Sequence, residues 1–229
     1  MFSSQEVKHI TFIKVNEVSD KYAPKPASKS IPEWYKKMEP SFPKERTPDS
    51  LPTIKKCIPV LDALTAGYIL VTPCDVYVQM KDGEPTLQPT FDGYISHHPR
   101  KQGYKHPAVN DYQFPKWINP WAIKTPKGYS TLFIPPVHNP NEWFVVLEGI
   151  VDTDNYSAPV NFPFVLKNPT REGLIPAGTP MVQAIPFKRD EWESSISEDS
   201  KEAKQVSTHL SSHWFDRYKK LFWDKKSFN

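Results

Sequence analysis

The stretch "KTPKGYSTLFIPPVHNPNEWFVVLEGIVDTDNYSAPVNFPFVLKNPTREGLIPAGTPMVQAIPF", residues 124–187, decides the fold class of this chain. Its apolar runs, such as "YSTLFI" and "EWFVVL", are short, rich in β-branched and aromatic residues, and bounded by Pro, Gly or Asn. Short runs of this composition, separated by turn residues, are typical of β-sandwiches and β-barrels. The stretch therefore predicts an all-β core with stiff, proline-set connections.

The composition of the whole chain supports this interpretation. The 229 residues include 25 prolines and only 8 glycines, against ordinary frequencies of about 5% and about 7%. Because Pro removes a backbone donor and clashes one helical turn back, a chain so rich in it is not mainly helical. Hydrophobic residues make up 38% and aromatic residues 13% of the chain, which is enough apolar surface to offset the entropy of ordering.

Changes in composition along the chain predict three parts. Residues 1–50 form a proline-rich arm, residues 51–192 the β core, and residues 193–229 an amphipathic helix. Within the arm, "SIPEWYKKM" predicts a short helix with Ser30 as its cap and Pro32 in its first turn. The arm packs either on its own core or on a neighbouring subunit, and the sequence leaves both arrangements open.

Surplus aromatic residues indicate interaction surfaces. The C-terminal segment carries one apolar helical stripe, at Val206, Leu210, Trp214, Tyr218 and Leu221. Such a helix packs on the β core or on another chain. Large aromatic side chains dominate the energetics of interfaces. The candidate interface residues are therefore Trp34, Tyr35, Trp143, Trp214 and Tyr218.

Charge and cysteine content narrow the class of protein. The net charge is +3, with 29 basic and 26 acidic residues, so the balance gives no case for nucleic-acid binding. No apolar run approaches the ~18 residues that span a membrane, and the start "MFSSQEVKHITF" lacks the features of a signal peptide. We therefore expect intracellular synthesis in a reducing compartment. Cys57 and Cys74 are predicted to be free, buried thiols.

Two clusters of polar residues could carry chemistry. His97, His98 and His106, with Asp92 or Asp111, could bind a metal, but their spacing matches no standard site. We predict a solvated loop and no metal there. The sequence "DTDN" at 152–155 is either an acid/base or cation-holding pair of aspartates, or a turn between two strands.

Residues 62–187 resemble the trimeric dUTPase and dCTP deaminase group, which has the β-clip fold. The stretches "TAGYI" (65–69), "GIVDTDNY" (149–156) and "IPAGTPMVQAI" (175–185) are similar to the first, third and fourth motifs of that group. "TPKGYSTLFIPP" (125–136) is similar to the strand that leads into the second motif. The resemblance implies a β-clip-like core.

The same resemblance implies roles for four residues. Asp152 would be the general base that holds the attacking water, and Tyr156 would stack beneath the sugar. Gln183 would contact a phosphate, and Asp154 would be a further ligand in the site. Mg²⁺ would accompany the nucleotide, whereas no cofactor is expected if the chain does not bind one.

The chain departs from the group's motifs at the positions that hold phosphate. Ile69 replaces the first motif's aspartate, Pro136-Val137-His138 stands in place of Arg-Ser-Gly, and Thr179-Pro180 replaces Asp-Arg. The glycine-rich fifth motif has no counterpart. A triphosphate needs cationic or amide donors, and proline nitrogens cannot donate. These departures favour a β scaffold that has lost the nucleotide chemistry.

The whole chain also resembles an uncharacterised protein family of tailed phages, through "SIPEWYKKM", "TIKKCIPVLDALTAGYI" and "PCDVYVQ". The β-clip fold also occurs in phage head-decoration proteins, which form trimers on capsids. By analogy, we expect a non-enzymatic structural or interaction protein of the virion, in the capsid, neck or tail. It would form a homo-oligomer such as a trimer, contact other virion proteins, and reside in the particle or in the host cytoplasm during assembly.

Two alternatives stay open at this point. The first is a nucleotide hydrolase related to the dUTPase and dCTP deaminase group, with Asp152 as the general base. The second is a nucleotide-binding regulator that keeps the pocket without the chemistry.

Overall fold

The computed structural model describes residues 7–42, 52–103, 105–109, 114–211 and 217–229. The fold is mainly β, with antiparallel sheets and short helices. The helices are α1 (Glu33–Lys37), α2 (Ile58–Thr65), α3 (Lys201–Ser211) and α4 (Arg217–Leu221). The strands are β1 (Thr11–Lys14), β2 (Lys25–Pro26), β3 (Tyr68–Val71), β4 (Val76–Lys81), β5 (Glu84–Pro89), β6 (Ile95–His98), β7 (Phe114–Trp117), β8 (Trp121–Lys124), β9 (Tyr129–Ile134), β10 (Phe144–Val146), β11 (Gly149–Val151), β12 (Phe162–Leu166), β13 (Gly173–Ile175) and β14 (Pro180–Lys188).

The strands form four sheets, and the largest is organised around β14. Its strand order is β11-β9-β14-β3-β2, so the long strand β14 lies at the centre and pairs with β9 on one side and β3 on the other. The second sheet has the order β10-β12-β7-β6, the third β13-β4-β5, and β1 pairs with β8. The sequence prediction of a mainly β core is confirmed at this level.

One apolar core is shared by the strands of all four sheets. Its centre holds three aromatic rings from neighbouring strands: Trp117 stacks on Phe164 at 5.1 Å between ring centroids, and Phe144 lies 5.4 Å from Trp117. All three side chains are fully buried. Aromatic pairs in such geometry contribute about 0.5–1.5 kcal/mol each beyond their burial. The short aromatic runs of residues 144–166 are therefore core strands.

The N-terminal arm packs on its own core. Strand β1 pairs with β8, and β2 pairs with β3 at the edge of the largest sheet. The indole nitrogen of Trp34 donates to the carbonyl of His138 at 2.9 Å. Tyr35 is buried, and its hydroxyl donates to the carbonyl of Lys55. Of the two arrangements that the sequence left open, the described residues show the intrachain one.

Several details differ from the sequence predictions. The first helix begins at Glu33 with Pro32 as its N-cap, so Ser30 is not the cap. The cap position tolerates Pro because the first turn of a helix has no intrahelical use for its amide hydrogens. Cys57 is exposed, because it precedes α2 at the surface, whereas Cys74 is buried as predicted; both thiols are free.

The C-terminal region begins without helix or strand. Residues 189–200 carry no regular secondary structure, and α3 starts only at Lys201. Tyr218 lies in α4 and is exposed, while Trp214 lies outside the described residues. The last residues return to the core, where Trp223 donates to the carboxylate of Asp62 at 2.9 Å.

Gly67 occupies a position that no other residue fits. Its φ is +66°, and a Cβ there would lie 2.1 Å from the carbonyl oxygen of Ala184 on β14. The substitution Gly67→Ala should therefore combine a strained backbone with a separation of β3 from β14. We expect the unfolding free energy, measured by urea denaturation, to fall by at least about 3 kcal/mol.

Gly93→Ala is the matched control. Its φ is +86°, but no atom lies within 4 Å of the added Cβ. It should lose only the ~1–2 kcal/mol of a left-handed non-glycine residue. Equal losses in the two variants would contradict the close approach of Gly67 to β14.

Candidate functional site

The acidic turn comprises residues 152–156 and follows β11 directly. It is closed by its backbone, because the carbonyl of Asp152 accepts hydrogen bonds from the amides of Asn155 at 3.0 Å and Tyr156 at 2.8 Å. A turn between strands, one of the two interpretations of "DTDN", is thus formed. The carboxylates of Asp152 and Asp154 are not needed to close the turn, and they contact other residues.

Asp154 is held in a fixed ion pair. Its side chain is 2% exposed, and its two oxygens accept from the guanidinium of Arg189 in a bidentate arrangement. The amide of Gly128 donates to the same carboxylate at 2.8 Å. Hydrogen bonding to Arg189, supported by Gly128, lowers the pKa of Asp154 to about 2. Asp154 therefore joins the end of β14 to the turn before β9 as a permanent anion.

Asp152 is the more accessible of the two aspartates. Its side chain is 60% exposed, and Oδ1 accepts from the hydroxyl of Ser130 at 2.6 Å. The same oxygen lies 3.2 Å from Nη1 of Arg189. One guanidinium thus serves both carboxylates. Beneath the turn, the buried hydroxyl of Thr153 forms hydrogen bonds of 2.8 Å with the hydroxyls of Thr125 and Thr131.

Gln183 is fully engaged by its own chain. The side chain is buried, and its amide nitrogen donates to the carbonyls of Ala63 at 2.9 Å and Ala66 at 2.7 Å, at the end of α2. Its oxygen accepts from the amide of Val137 at 2.9 Å. Both amide hydrogens are used, so the side chain joins β14, α2 and the loop after β9.

The structure does not bring Gln183 and the acidic turn together. Ser130, which contacts Asp152, lies opposite Phe187 on β14, and Gln183 is four residues away along the same strand. At about 3.3 Å per residue, the two positions are roughly 13 Å apart. Tyr156, the last residue of the turn, is exposed. The residues to which the resemblance assigns a nucleotide therefore lie in two separate places on the largest sheet.

The loop after β9, which stands at the position of the second motif, is covered by the arm. The amide of Val137 is used by Gln183, and the carbonyl of His138 accepts from Trp34. The side-chain amide of Asn139 donates to the carbonyl of Ser30 at 3.4 Å. This loop is thus part of the contact between arm and core.

Of the three histidines predicted to lie in a solvated loop, only His106 lies outside helix and strand. His97 and His98 lie on β6, opposite Pro115 and Phe114 of β7. The sequence "YISHHP" begins with Tyr and Ile, which favour a β-strand, but the two adjacent histidines favoured a solvated segment. His106 accepts from the amide of Ala108 at 3.1 Å. Within the described ranges, no group of three or more His, Cys, Asp or Glu side chains is placed to hold a metal ion, and Asp111 lies outside those ranges.

A cleft of about 1100 Å³ lies elsewhere, between the arm and the core. Its lining includes Lys14, Lys21, Tyr22, Cys74, Asp75 and Phe91. Burial raises the pKa of the Cys74 thiol. Sequence reasoning missed this cleft because residues from four distant parts of the chain line it, at 14–22, 73–75, 90–94 and 177, and no local pattern predicts that they meet.

The remaining candidate interface residues differ in their surroundings. Trp143 is partly buried, with the guanidinium of Arg171 4.1 Å from its ring centre. Trp34 and Tyr218 are exposed, whereas Tyr35 is part of the chain's own core.

No helix among the described residues is both long and apolar enough to cross a membrane. Comparison with known proteins finds no family model and no curated protein sequence that matches the chain.

Asp154→Asn should change how stability depends on pH. The native carboxyl has a pKa of about 2 against an ordinary value of 3.8. Its contribution is therefore complete above pH ~4 and is lost as the pH falls toward ~2. We expect the variant to unfold at lower urea concentration at neutral pH, and to lack this loss between the two pKa values. Urea midpoints measured from neutral pH to pH ~2 provide the test.

Asp152→Asn is the control, because it removes the same charge beside the same Arg189 from an exposed side chain. It should leave the acid-dependent step in place. If the two variants show the same pH profile, the ion pair of Asp154 does not have the role described.

Gln183→Leu should be strongly destabilising. The change leaves two carbonyls and one amide without their partner, and each buried unsatisfied group costs about 1–3 kcal/mol. We expect a loss of about 3 kcal/mol or more in urea denaturation. Gln88→Leu, on the exposed side of β5, should change stability little. A Gln183 variant as stable as wild type would contradict the structural role.

Proposed function

We propose that the chain is a non-enzymatic structural protein of a phage particle, built on a β-clip-like scaffold, that self-associates and contacts other virion proteins. The observation that carries the proposal is the full use of Gln183, whose amide forms three hydrogen bonds within its own chain. A side chain with no donor to spare cannot hold a phosphate without breaking the contact between β14 and α2. The position that the resemblance assigns to phosphate is thus structural.

The acidic turn supports the same conclusion. Asp154, which the resemblance makes a further ligand, already has both carboxylate oxygens engaged by Arg189 and Gly128, and hydrogen bonding to Arg189 lowers its pKa to about 2. Asp152 shares its oxygen between Ser130 and Arg189. Its carboxylate is thus already compensated by a cation of the same chain.

The surface supports a role in binding proteins. Exposed large apolar side chains occur in the arm, on strand β11, in loops and in the C-terminal region; they include Trp34, Phe42, Phe91, Ile150, Trp192 and Ile196. Single exposed apolar side chains are normal on a protein surface, but Trp192 and Ile196 are almost completely exposed within one short segment, and large aromatic groups are enriched at protein interfaces. The analogy with trimeric head-decoration proteins favours a homo-oligomer, with a trimer as its simplest closed form.

Nucleotide assays separate this proposal from the enzymatic alternative. We expect the protein, incubated with each deoxynucleoside triphosphate and Mg²⁺, to release no more product than buffer alone, with a trimeric dUTPase as the positive control. Thermal shift with the same nucleotides should show no stabilisation. Turnover that is lost in Asp152→Asn would establish a hydrolase, and stabilisation without turnover would establish a nucleotide-binding regulator. Either result would contradict the proposal.

The virion assignment has its own test. Mass spectrometry of gradient-purified particles of the phage that encodes the chain should detect it in a fixed ratio to the major capsid protein. Its absence from purified particles, together with its presence in the infected-cell lysate, would remove the virion role.

A further inference from the structure

The segment 190–200, "DEWESSISEDS", is rich in acidic residues, and we refer to it as the acidic segment. It runs without helix or strand between the end of β14 and the start of α3. The side chains of Trp192 and Ile196 are 90% and 102% exposed. Two large apolar groups are therefore presented to solvent from a segment without helix or strand.

The backbone of the acidic segment makes few hydrogen bonds: the amide of Asp199 donates to the hydroxyl of Ser197 at 3.2 Å, and the carbonyl of Ser200 accepts from the amide of Lys204 at 2.9 Å. Among the described residues, no backbone–backbone hydrogen bond involves residues 190–199. Its start is nevertheless fixed, because the amide of Arg189 donates to the carbonyl of Gly128 at 2.9 Å and its guanidinium holds Asp154. The segment thus leaves the core in a set direction, and the backbone groups of residues 190–198 are available to a partner.

Charge restricts what that partner is. The acidic segment holds five carboxylates, at positions 190, 191, 193, 198 and 199, and no Lys or Arg, so its net charge is −5. A partner surface must therefore be basic, and must carry apolar groups to cover Trp192 and Ile196.

The chain itself carries such a surface. The lysine face comprises the described residues 25–42 and 52–56, which hold six lysines against two glutamates, a net charge of +4. Among these lysines are exposed apolar side chains, namely Trp34, Phe42 and Ile54.

The two halves of the lysine face form one unit. The side chain of Lys55 donates to the carbonyls of Lys36 at 2.7 Å and Met38 at 2.8 Å. The amide of Thr53 donates to the carbonyl of Pro40 at 3.1 Å. The lysine face is thus a preformed surface and needs little ordering to bind a partner.

The cleft between arm and core is a poorer acceptor. Its charged lining residues are Lys14 and Lys21 against Glu17, Asp75 and Asp92, a net charge of −1. A segment of charge −5 is repelled there and attracted by the lysine face. Within one copy the two complementary surfaces do not cover each other, since Trp192 and Ile196 stay exposed, as do Trp34 and Ile54.

We infer that the acidic segment of one copy binds the lysine face of a second copy, with Trp192 and Ile196 packed against its exposed apolar groups. The inference rests on the self-association in the proposed function and names the surfaces that carry it. Donor and acceptor are different parts of the chain, so the contact is heterologous, and it gives a closed ring when the rotation between copies closes.

Removing the apolar groups tests the contact. Size-exclusion chromatography with light scattering over a concentration series should show an oligomer for the wild-type chain. The double variant Trp192→Ser, Ile196→Ser should raise the dissociation constant at least about tenfold. The control Phe91→Ser, Ile150→Ser removes one exposed aromatic and one exposed aliphatic side chain outside both surfaces, and it should leave the oligomer intact.

Charge reversal tests the pairing of the two surfaces. Glu191→Lys with Glu193→Lys should dissociate the oligomer, and so should Lys37→Glu with Lys56→Glu. All four changes in one chain should restore it. Lys36 and Lys55 are left unchanged because Lys36 pairs with Glu33 and Lys55 binds carbonyls of the arm. Raising sodium chloride to about 0.5 M should weaken the wild-type oligomer, because salt screens the attraction.

Each outcome decides the inference. A monomeric wild-type chain overturns it, while mass spectrometry of particles still judges the virion role separately. An oligomer that survives the Trp192 and Ile196 changes, or that the four combined changes fail to restore after each pair has dissociated it, overturns the contact and leaves self-association standing. Equal circular dichroism spectra and melting temperatures of all variants exclude misfolding as the cause of dissociation.

Discussion

The hydrogen bonds of Gln183 are the constraint on which the rest of the architecture depends. From the central strand of the largest sheet, one side chain fixes the end of α2 through two carbonyls and the loop after β9 through the amide of Val137. That loop in turn receives the indole of Trp34, which positions the arm. A buried amide with all its partners in place specifies one arrangement, because any other arrangement leaves polar groups unsatisfied in the core. The lysine face owes its fixed position to this chain of contacts.

The opposite end of β14 follows the same principle with charges instead of amides. Arg189 balances the negative charges of two aspartates, the nearly buried Asp154 and the exposed Asp152. A buried carboxylate is tolerated only when it is paired and hydrogen-bonded, and the amide of Gly128 supplies the remaining donor. The acidic segment begins one residue after Arg189. The ion pair therefore determines where the acidic segment leaves the core, and it links the stability of the turn to the direction of the segment.

The sequence was informative where structure is local and poor where it is assembled from distant residues. The apolar runs "YSTLFI" and "EWFVVL" contain β9 and β10. The pair Asp82-Gly83, a typical hairpin sequence, lies between β4 and β5, and both residues adopt the positive φ angles that this turn requires. The partner of Asp154 is 35 residues away in the chain, and neither residue belongs to a motif that predicts the other. Gln183 looked like a phosphate ligand because its motif is local, whereas the contacts that occupy it come from α2 and the loop after β9.

The acidic segment shows how charge can control when an apolar surface is used. Burying a side chain such as Trp removes about 150–250 Å² from water, at about 25 cal/mol per Å², so leaving Trp192 and Ile196 exposed forgoes several kcal/mol. Five flanking carboxylates repel the same segment of other copies and prevent non-specific collapse. Against the six lysines of the lysine face the same charges attract. In the contact that we infer, apolar burial would supply the affinity, and charge would select the partner. The charges of the two surfaces matter for this selection, and the net charge of +3 for the whole chain does not.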